Sequence, residues 1–130
     1  MMNVRKIQVE STDDEESIGI NMYQQRDGWI GFDLDGTIAH YDEWRGEEHI
    51  GDPIPSMIEL IKTYLAQGWT IKIFTARCGN GERQITIIQD WLEAQGLPRL
   101  EVTNVKDFEM KMLFDDRCHR VQINTGRIIA

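Results

Sequence analysis

From residue 29 onward, short apolar runs alternate with segments whose apolar residues recur at helical spacing. Residues 29–34 (WIGFDL) read as a strand buried on both faces, because no position in the run is reserved for water. Residues 57–65 then carry Met57, Ile58, Leu60, Ile61, Tyr64 and Leu65 at helical spacing, entered through Pro53 and Pro55 and stopped by Gly68. Residues 69–75 (WTIKIFT), rich in β-branched and aromatic side chains, predict a second strand. A second helix is expected over 82–95, with Ile85, Ile87, Ile88, Trp91 and Leu92 apolar and Gly96 as its stop. Residues 100–105, 112–114 and 120–124 read as third, fourth and fifth strands. Strands alternating with helices predict an α/β fold: a mainly parallel five-stranded sheet with right-handed crossovers.

The first 28 residues have another character. Strands are expected over 4–10 and 18–23, separated by the acidic stretch 11–16 (STDDEE), which reads as a solvated loop. The division predicted is a hairpin extension over 1–28 and a single core domain over 29–130. A length of 130 residues suits one domain, and 41% apolar residues with four Trp can fill a core without disulfide or metal staples. The 22 acidic and 14 basic side chains leave a net charge of -8. That balance disfavours nonspecific binding to nucleic acid or anionic membrane, though a local basic patch remains compatible with it. No apolar run approaches the roughly 20 residues that span a bilayer, and residues 1–10 lack a secretory signal, so a soluble, cytoplasmic protein is expected. Cys78 and Cys118 have no zinc-type spacing and His40, His49 and His119 are scattered, so reduced thiols are expected rather than a zinc site.

Chemistry enters at the strand ends. Asp33 and Asp35 end the first strand, Thr75 the second, Lys106 follows the third, and Asp115 and Asp116 end the fourth. Open parallel sheets bind ligands beyond the carboxyl ends of their strands, so all six groups are expected on one rim. Four crowded carboxylates repel one another unless a cation sits among them, and a hard, oxygen-seeking ion such as Mg²⁺ suits the donor set. Mg²⁺ commonly shares its sphere with a substrate phosphate, and a carboxylate beside it can act as nucleophile in phosphoryl transfer. Lys106 would help neutralise charge, and Thr75 would donate a hydrogen bond to a phosphate oxygen. A calcium loop is the rival reading of Asp33-Leu34-Asp35-Gly36. It fails, because that loop requires Gly where Ile38 stands and Glu where Trp44 stands.

These residues resemble the haloacid dehalogenase-like hydrolase superfamily, most of whose members are Mg²⁺-dependent phosphatases. Its first motif is matched by Gly31-Phe32-Asp33-Leu34-Asp35-Gly36-Thr37, its second by Ile71-Lys72-Ile73-Phe74-Thr75, and its fourth by Met112-Leu113-Phe114-Asp115-Asp116. Lys106 and Lys111 compete for its third, and Lys106 is favoured because it directly follows a strand. The resemblance implies a three-layer Rossmann-like core. It implies Asp33 as nucleophile and Asp35 as the acid that protonates the leaving alcohol, then the base that activates water. Mg²⁺ would be held by Asp33, the backbone carbonyl of Asp35 and the pair Asp115/Asp116, with the direct ligand of that pair left open. Thr37, Ala76, Arg77 and Arg117 are candidate substrate contacts; for the two arginines a salt bridge with the acid cluster is the equal alternative. The stretch 79–82 (GNGE) matches no phosphate-loop spacing and reads as a flexible turn.

Many members of the superfamily carry a cap domain that closes over the site. Neither 38–70 nor 76–100 has room for one, so an open site is expected. The loop 39–52, with Tyr41, Trp44, Arg45 and His49, is the lid-sized candidate; its aromatics would stack on a base or sugar, or Trp44 would pack on the domain. An open site admits large substrates or is covered by a second subunit of a homo-oligomer. The expected function is a Mg²⁺-dependent phosphomonoesterase acting on a small phosphorylated metabolite or nucleotide. The layout and the ending in Asp115-Asp116-Arg117 are also similar to the 3′-phosphatase domain of phage-type polynucleotide kinases, making nucleic-acid ends the close alternative. A non-catalytic binding protein retaining the fold is the alternative of another class, and a phosphotransferase a lesser one.

Overall fold

The computed structural model describes residues 27–130. The strands expected over 4–10 and 18–23 lie outside the described residues. The sheet is organised around β1 (Trp29–Phe32), which pairs in parallel with β2 (Thr70–Phe74) on one side and β4 (Met110–Phe114) on the other. β3 (Glu101–Thr103) pairs in parallel with β2, giving the order β3-β2-β1-β4. All four residues of β1 are buried, the burial its unbroken apolar run predicts for a central strand.

The helix α1 (Pro55–Ala66) joins β1 to β2, and α2 (Glu82–Ala94) joins β2 to β3. Pro55 begins α1, where a missing amide hydrogen costs nothing and the fixed φ favours the helix. Ile58, Ile61 and Tyr64 of α1 and Ile88 and Leu92 of α2 pack with Ile30, Phe32, Ile71, Ile73 and Val102 in one core. Phe32 stacks on Phe114 at 4.6 Å between ring centroids, and Tyr64 meets Trp69 edge-on at 6.4 Å. Both crossovers step in the same direction along the sheet, so right-handedness puts both helices on one face.

The other face is built differently. Residues 104–109 carry the chain from the carboxyl end of β3 past β2 and β1 to the start of β4. A helical crossover needs about a dozen residues or more, so this connection holds no helix. It covers Trp29 instead: the indole Nε1 donates to Asp107 at 2.9 Å and the Trp29 amide to the Glu109 carbonyl at 2.9 Å. The Lys72 ammonium lies 4.6 Å from the centre of the indole.

Two expectations are corrected. Among the described residues the parallel sheet has four strands, not the five expected, and its two helices both belong to crossovers that step the same way. The strand expected over 120–124 is β5 (Arg120–Val121), which pairs antiparallel with β6 (Ile128–Ile129) outside the main sheet. Asn124 at φ 64° turns the chain, and the Gln122 amide donates to the Arg127 carbonyl at 2.8 Å. A nearby partner wins there because closing a short loop costs little entropy. Among the described residues no helix is long and apolar enough to cross a membrane.

Candidate functional site

The ladder between β1 and β4 runs one residue past β1. The Asp33 amide donates to the Phe114 carbonyl at 2.9 Å, which locks Asp33 beside the residues that follow β4. The chain then turns tightly around the Leu34 carbonyl, which accepts from the amides of Thr37, Ile38 and Ala39 at 3.3, 3.0 and 3.0 Å. Gly36 is needed twice over. Its φ is +89°, and a Cβ there would come within 2.7 Å of the Asp116 carboxylate.

Asp33, Asp115 and Asp116 converge, each offering an oxygen within 4.8 Å of the others. Thr37, buried at the turn, bridges two of them: its hydroxyl lies 3.3 Å from Asp33 Oδ2 and 3.1 Å from Asp116 Oδ1, and accepts from the Asp116 amide at 3.0 Å. One hydroxyl proton serves one carboxylate at a time, so the cluster stays short of positive charge. Burial, the hydrogen bond to Asp116 and the charges of Asp115 and Asp116 push the Asp33 carboxyl up to about 7. Burial also pushes Asp116 upward, but hydrogen bonds from Asp33 and Thr37 outweigh it and hold that carboxyl below its ordinary value. The hydrogen bond between Asp33 and Asp116 relieves part of the repulsion among the three carboxylates. Three oxygen donors at this spacing fit a small divalent ion of the Mg²⁺ kind.

Asp35 has a separate arrangement. Arg77, its side chain 5% exposed, donates from Nε at 2.8 Å and Nη2 at 2.9 Å to the two Asp35 oxygens. The same guanidinium reaches the loop 39–52, donating to the His49 carbonyl at 2.9 Å and the Glu47 carbonyl at 3.3 Å. Of the two readings of Arg77, the salt bridge is the one present. Thr75 is buried, and its Oγ1 accepts from the Arg77 amide at 3.1 Å, capping a 3-10 helix over Ala76–Asn80. That helix replaces much of the flexible turn expected over 79–82.

A cleft of about 600 Å³ brings together Asp33, Asp35, Thr75, Ala76, Arg77, Asp115 and Arg117, with Tyr41, Trp44 and Phe74 completing its wall. Arg117 has no ion-pair partner among the described residues; its amide donates to Asp115 Oδ1 at 2.8 Å. Lys106 is exposed beyond β3, where Asn104 rather than Lys106 lines the cleft. Lys111 lies at the amino end of the strands, where a Cβ on Gly28 would meet its Cε at 2.9 Å. Of the candidates, then, Asp33, Asp35, Asp115, Thr75, Ala76 and both arginines line one cleft, and Thr37 joins Asp33 to Asp116 beside it; neither lysine lines it.

Asn80 and Asn104 also line the cleft, and nothing in their sequence context singled them out. Gln84 carried a readable signal. It stands on the stripe Gln84-Ile88-Leu92 that α2 buries, and a polar group there must find a partner. It donates to the Glu47 carbonyl at 3.0 Å and accepts from Asn80 at 3.3 Å. The loop 39–52 is therefore tied down. The His40 amide donates to the Asp52 carbonyl at 2.8 Å, and Trp91 Nε1 donates to the Gly51 carbonyl at 3.1 Å. Arg83 pairs with Glu47 and Glu48. A side chain at Gly51 would collide with the His40 carbonyl, so the loop's two ends cross in contact.

No protein-family model and no curated protein matches the chain. Among solved structures, a conserved protein from Bacteroides thetaiotaomicron is similar to it, with a TM-score of 0.54 and 22% identity over 71% of this chain and 78% of that one. At that identity the likeness shows an α/β fold and nothing about activity.

Proposed function

We propose that this chain is a Mg²⁺-dependent phosphomonoesterase of the haloacid dehalogenase-like type, with Asp33 as its nucleophile. The observation that carries the reading is the convergence of Asp33, Asp115 and Asp116, whose oxygens lie within 4.8 Å of one another at the carboxyl ends of β1 and β4. Asp33, Asp115 and Asp116 would hold the ion, with the Asp35 backbone carbonyl as a further donor. The ion would supply charge neutralisation between the nucleophilic carboxylate and an anionic phosphate.

The chain's own groups divide the remaining work. Asp33 attacks phosphorus and carries the phosphoryl group as an aspartyl-phosphate. Thr75, with its oxygen already accepting from the Arg77 amide, has its hydroxyl proton available to a phosphate oxygen. Arg117, without an ion-pair partner among the described residues, supplies the cationic contact first expected of Lys106. Asp35 is the acid and then the base. Both its oxygens are engaged by Arg77, which orients the carboxyl group toward the cleft that Asp33 also lines. Protonating the leaving oxygen requires one of those bonds to loosen. Arg77 is shared with the loop 39–52, so the position of that loop governs how firmly Asp35 is held.

Asp42, Glu43, Glu47 and Glu48 make that loop acidic, which favours a small phosphoester over the end of a long polyanion. Turnover of p-nitrophenyl phosphate with Mg²⁺ tests the reading. Chelator should abolish it, and Asp33→Asn should remove it. Full activity in Asp33→Asn would reject Asp33 as nucleophile. Absence of turnover across a panel of phosphoesters, with Mg²⁺ bound, would return the chain to the class of binding proteins.

A further inference from the structure

Core packing does not account for the aromatic side of the cleft. Trp44 is 52% exposed and Tyr41 37%, although both lie on the loop 39–52 and line the same cleft as Asp33 and Asp115. Trp44 is therefore not a core residue. Its ring rests on Arg77, whose Cζ is 4.8 Å from the ring centroid, and four hydrogen bonds to Asp35, Glu47 and His49 fix that guanidinium. An indole seated on an immobile cation, on a loop pinned by Gln84 and Trp91, is a platform built before any ligand arrives.

We propose that the cleft takes a nucleoside monophosphate, with the base stacked on Trp44 and the phosphate at Asp33 and Arg117. This rests on the phosphatase reading for the phosphate end and adds the identity of the group it carries. Every base offers a π-face, and a half-exposed tryptophan offers the matching surface. The Asn104 carboxamide has no hydrogen-bond partner among the described residues and lines the same cleft, and carboxamides suit the paired donors and acceptors on a base edge. The volume of about 600 Å³ lies within the range of small-molecule sites. A sugar phosphate would leave the indole uncovered. A phosphotyrosine would cover it without using the carboxamide.

Calorimetric titration of the full chain with Mg²⁺ tests this without requiring turnover. The probes are adenosine 5′-monophosphate, adenosine 3′-monophosphate, ribose 5-phosphate, phosphotyrosine and inorganic phosphate. One of the adenosine monophosphates should bind about tenfold tighter than ribose 5-phosphate, the gain expected from one stacked base. Trp44→Leu should erase that preference and Trp44→Phe should keep most of it, with circular dichroism confirming that both variants fold. Equal affinities for all esters, a preference for phosphotyrosine, a preference that survives Trp44→Leu, or no binding of any probe would each overturn the proposal. If the nucleotide is preferred but neither it nor p-nitrophenyl phosphate is hydrolysed, the phosphatase reading fails and the nucleotide site stands. Hydrolysis without discrimination gives the reverse result.

Discussion

Asp33 and Asp35 leave β1 two residues apart and enter opposite electrostatic surroundings. Asp33 stands with Asp115 and Asp116, three carboxylates linked by the hydroxyl of Thr37 and by the hydrogen bond between Asp33 and Asp116. Asp35 faces the buried guanidinium of Arg77, which satisfies both its oxygens and ties it to the loop 39–52. One carboxylate is matched within the fold and the other is left wanting a cation. A site that served stability alone would have paired both, because crowded acids raise one another's pKa and cost folding energy. Under the proposed function, the mismatch at Asp33 is where an ion and a substrate would sit, and the match at Asp35 is what would orient them.

The hardest test of that contrast removes the unmatched acid. Asp33→Asn should lower kcat on p-nitrophenyl phosphate by about a thousandfold or more, since loss of a nucleophile leaves only binding and polarisation. It should leave the fold intact, and an unfolded variant in circular dichroism would refute the claim that this carboxylate is not structural. Removing the matched side should do the opposite. Arg77→Gln strips Asp35 of its partner and frees the Glu47 and His49 carbonyls, and should cost about 2–3 kcal/mol in urea unfolding, less than a fully buried pair because Asp35 retains access to water. A loss under about 0.5 kcal/mol would place this pair with ordinary surface ion pairs.

Arg117 and Lys106 give a smaller, paired test. Arg117→Ala should lower kcat/KM roughly tenfold, the worth of one charge-assisted hydrogen bond, while Lys106→Ala should change it by less than about twofold. The reverse order would restore Lys106 to the site. The smallest effect is a stability difference with pH, damped because the cleft is open to water. The folded Asp33 carboxyl is raised to about 7 from an ordinary 3.8, so the folded state holds its proton more tightly than the unfolded chain. That contribution is fully present below about pH 4 and is lost as pH rises toward 7. Asp116, held low, contributes in the opposite sense and loses its contribution only in acid, so the windows separate. Chelated protein should therefore lose stability in urea between pH 4.5 and 7, Mg²⁺ should restore it, and Asp33→Asn should flatten the chelated profile. An equal slope in Asp33→Asn would show that another group is responsible.

Much of this arrangement was legible in the chain. The apolar run into Asp33, the β-branched run into Thr75 and the run into Asp115 announce strands by local composition, and polar groups at their ends share a rim as soon as the strands are parallel. Lys106 was not legible in the same way. Its strand, β3, lies at the sheet's edge and stops at Thr103, so the chain has left the rim before Lys106 and presents Asn104 instead. Arg77 had two equal readings because its partners, Asp35, Glu47 and His49, are remote in sequence, and only the packed loop brings their oxygens to it.

By itself the sequence determined the central strand, the two helices, the order of strand ends and the Asp33, Asp115 and Asp116 set, because each depends on local pattern and on the rules of parallel sheets. Tertiary structure alone decided how charge is balanced: Asp33 without a cationic partner among the described residues, Asp35 paired with Arg77, Trp44 seated on Arg77 at the cleft edge rather than in the core. It also decided that 104–109 crosses the sheet as a bare segment and that β5 pairs locally with β6. Electrostatic partnership and burial are properties of distance in space, and separations of tens of residues along the chain leave those distances open until the core has closed.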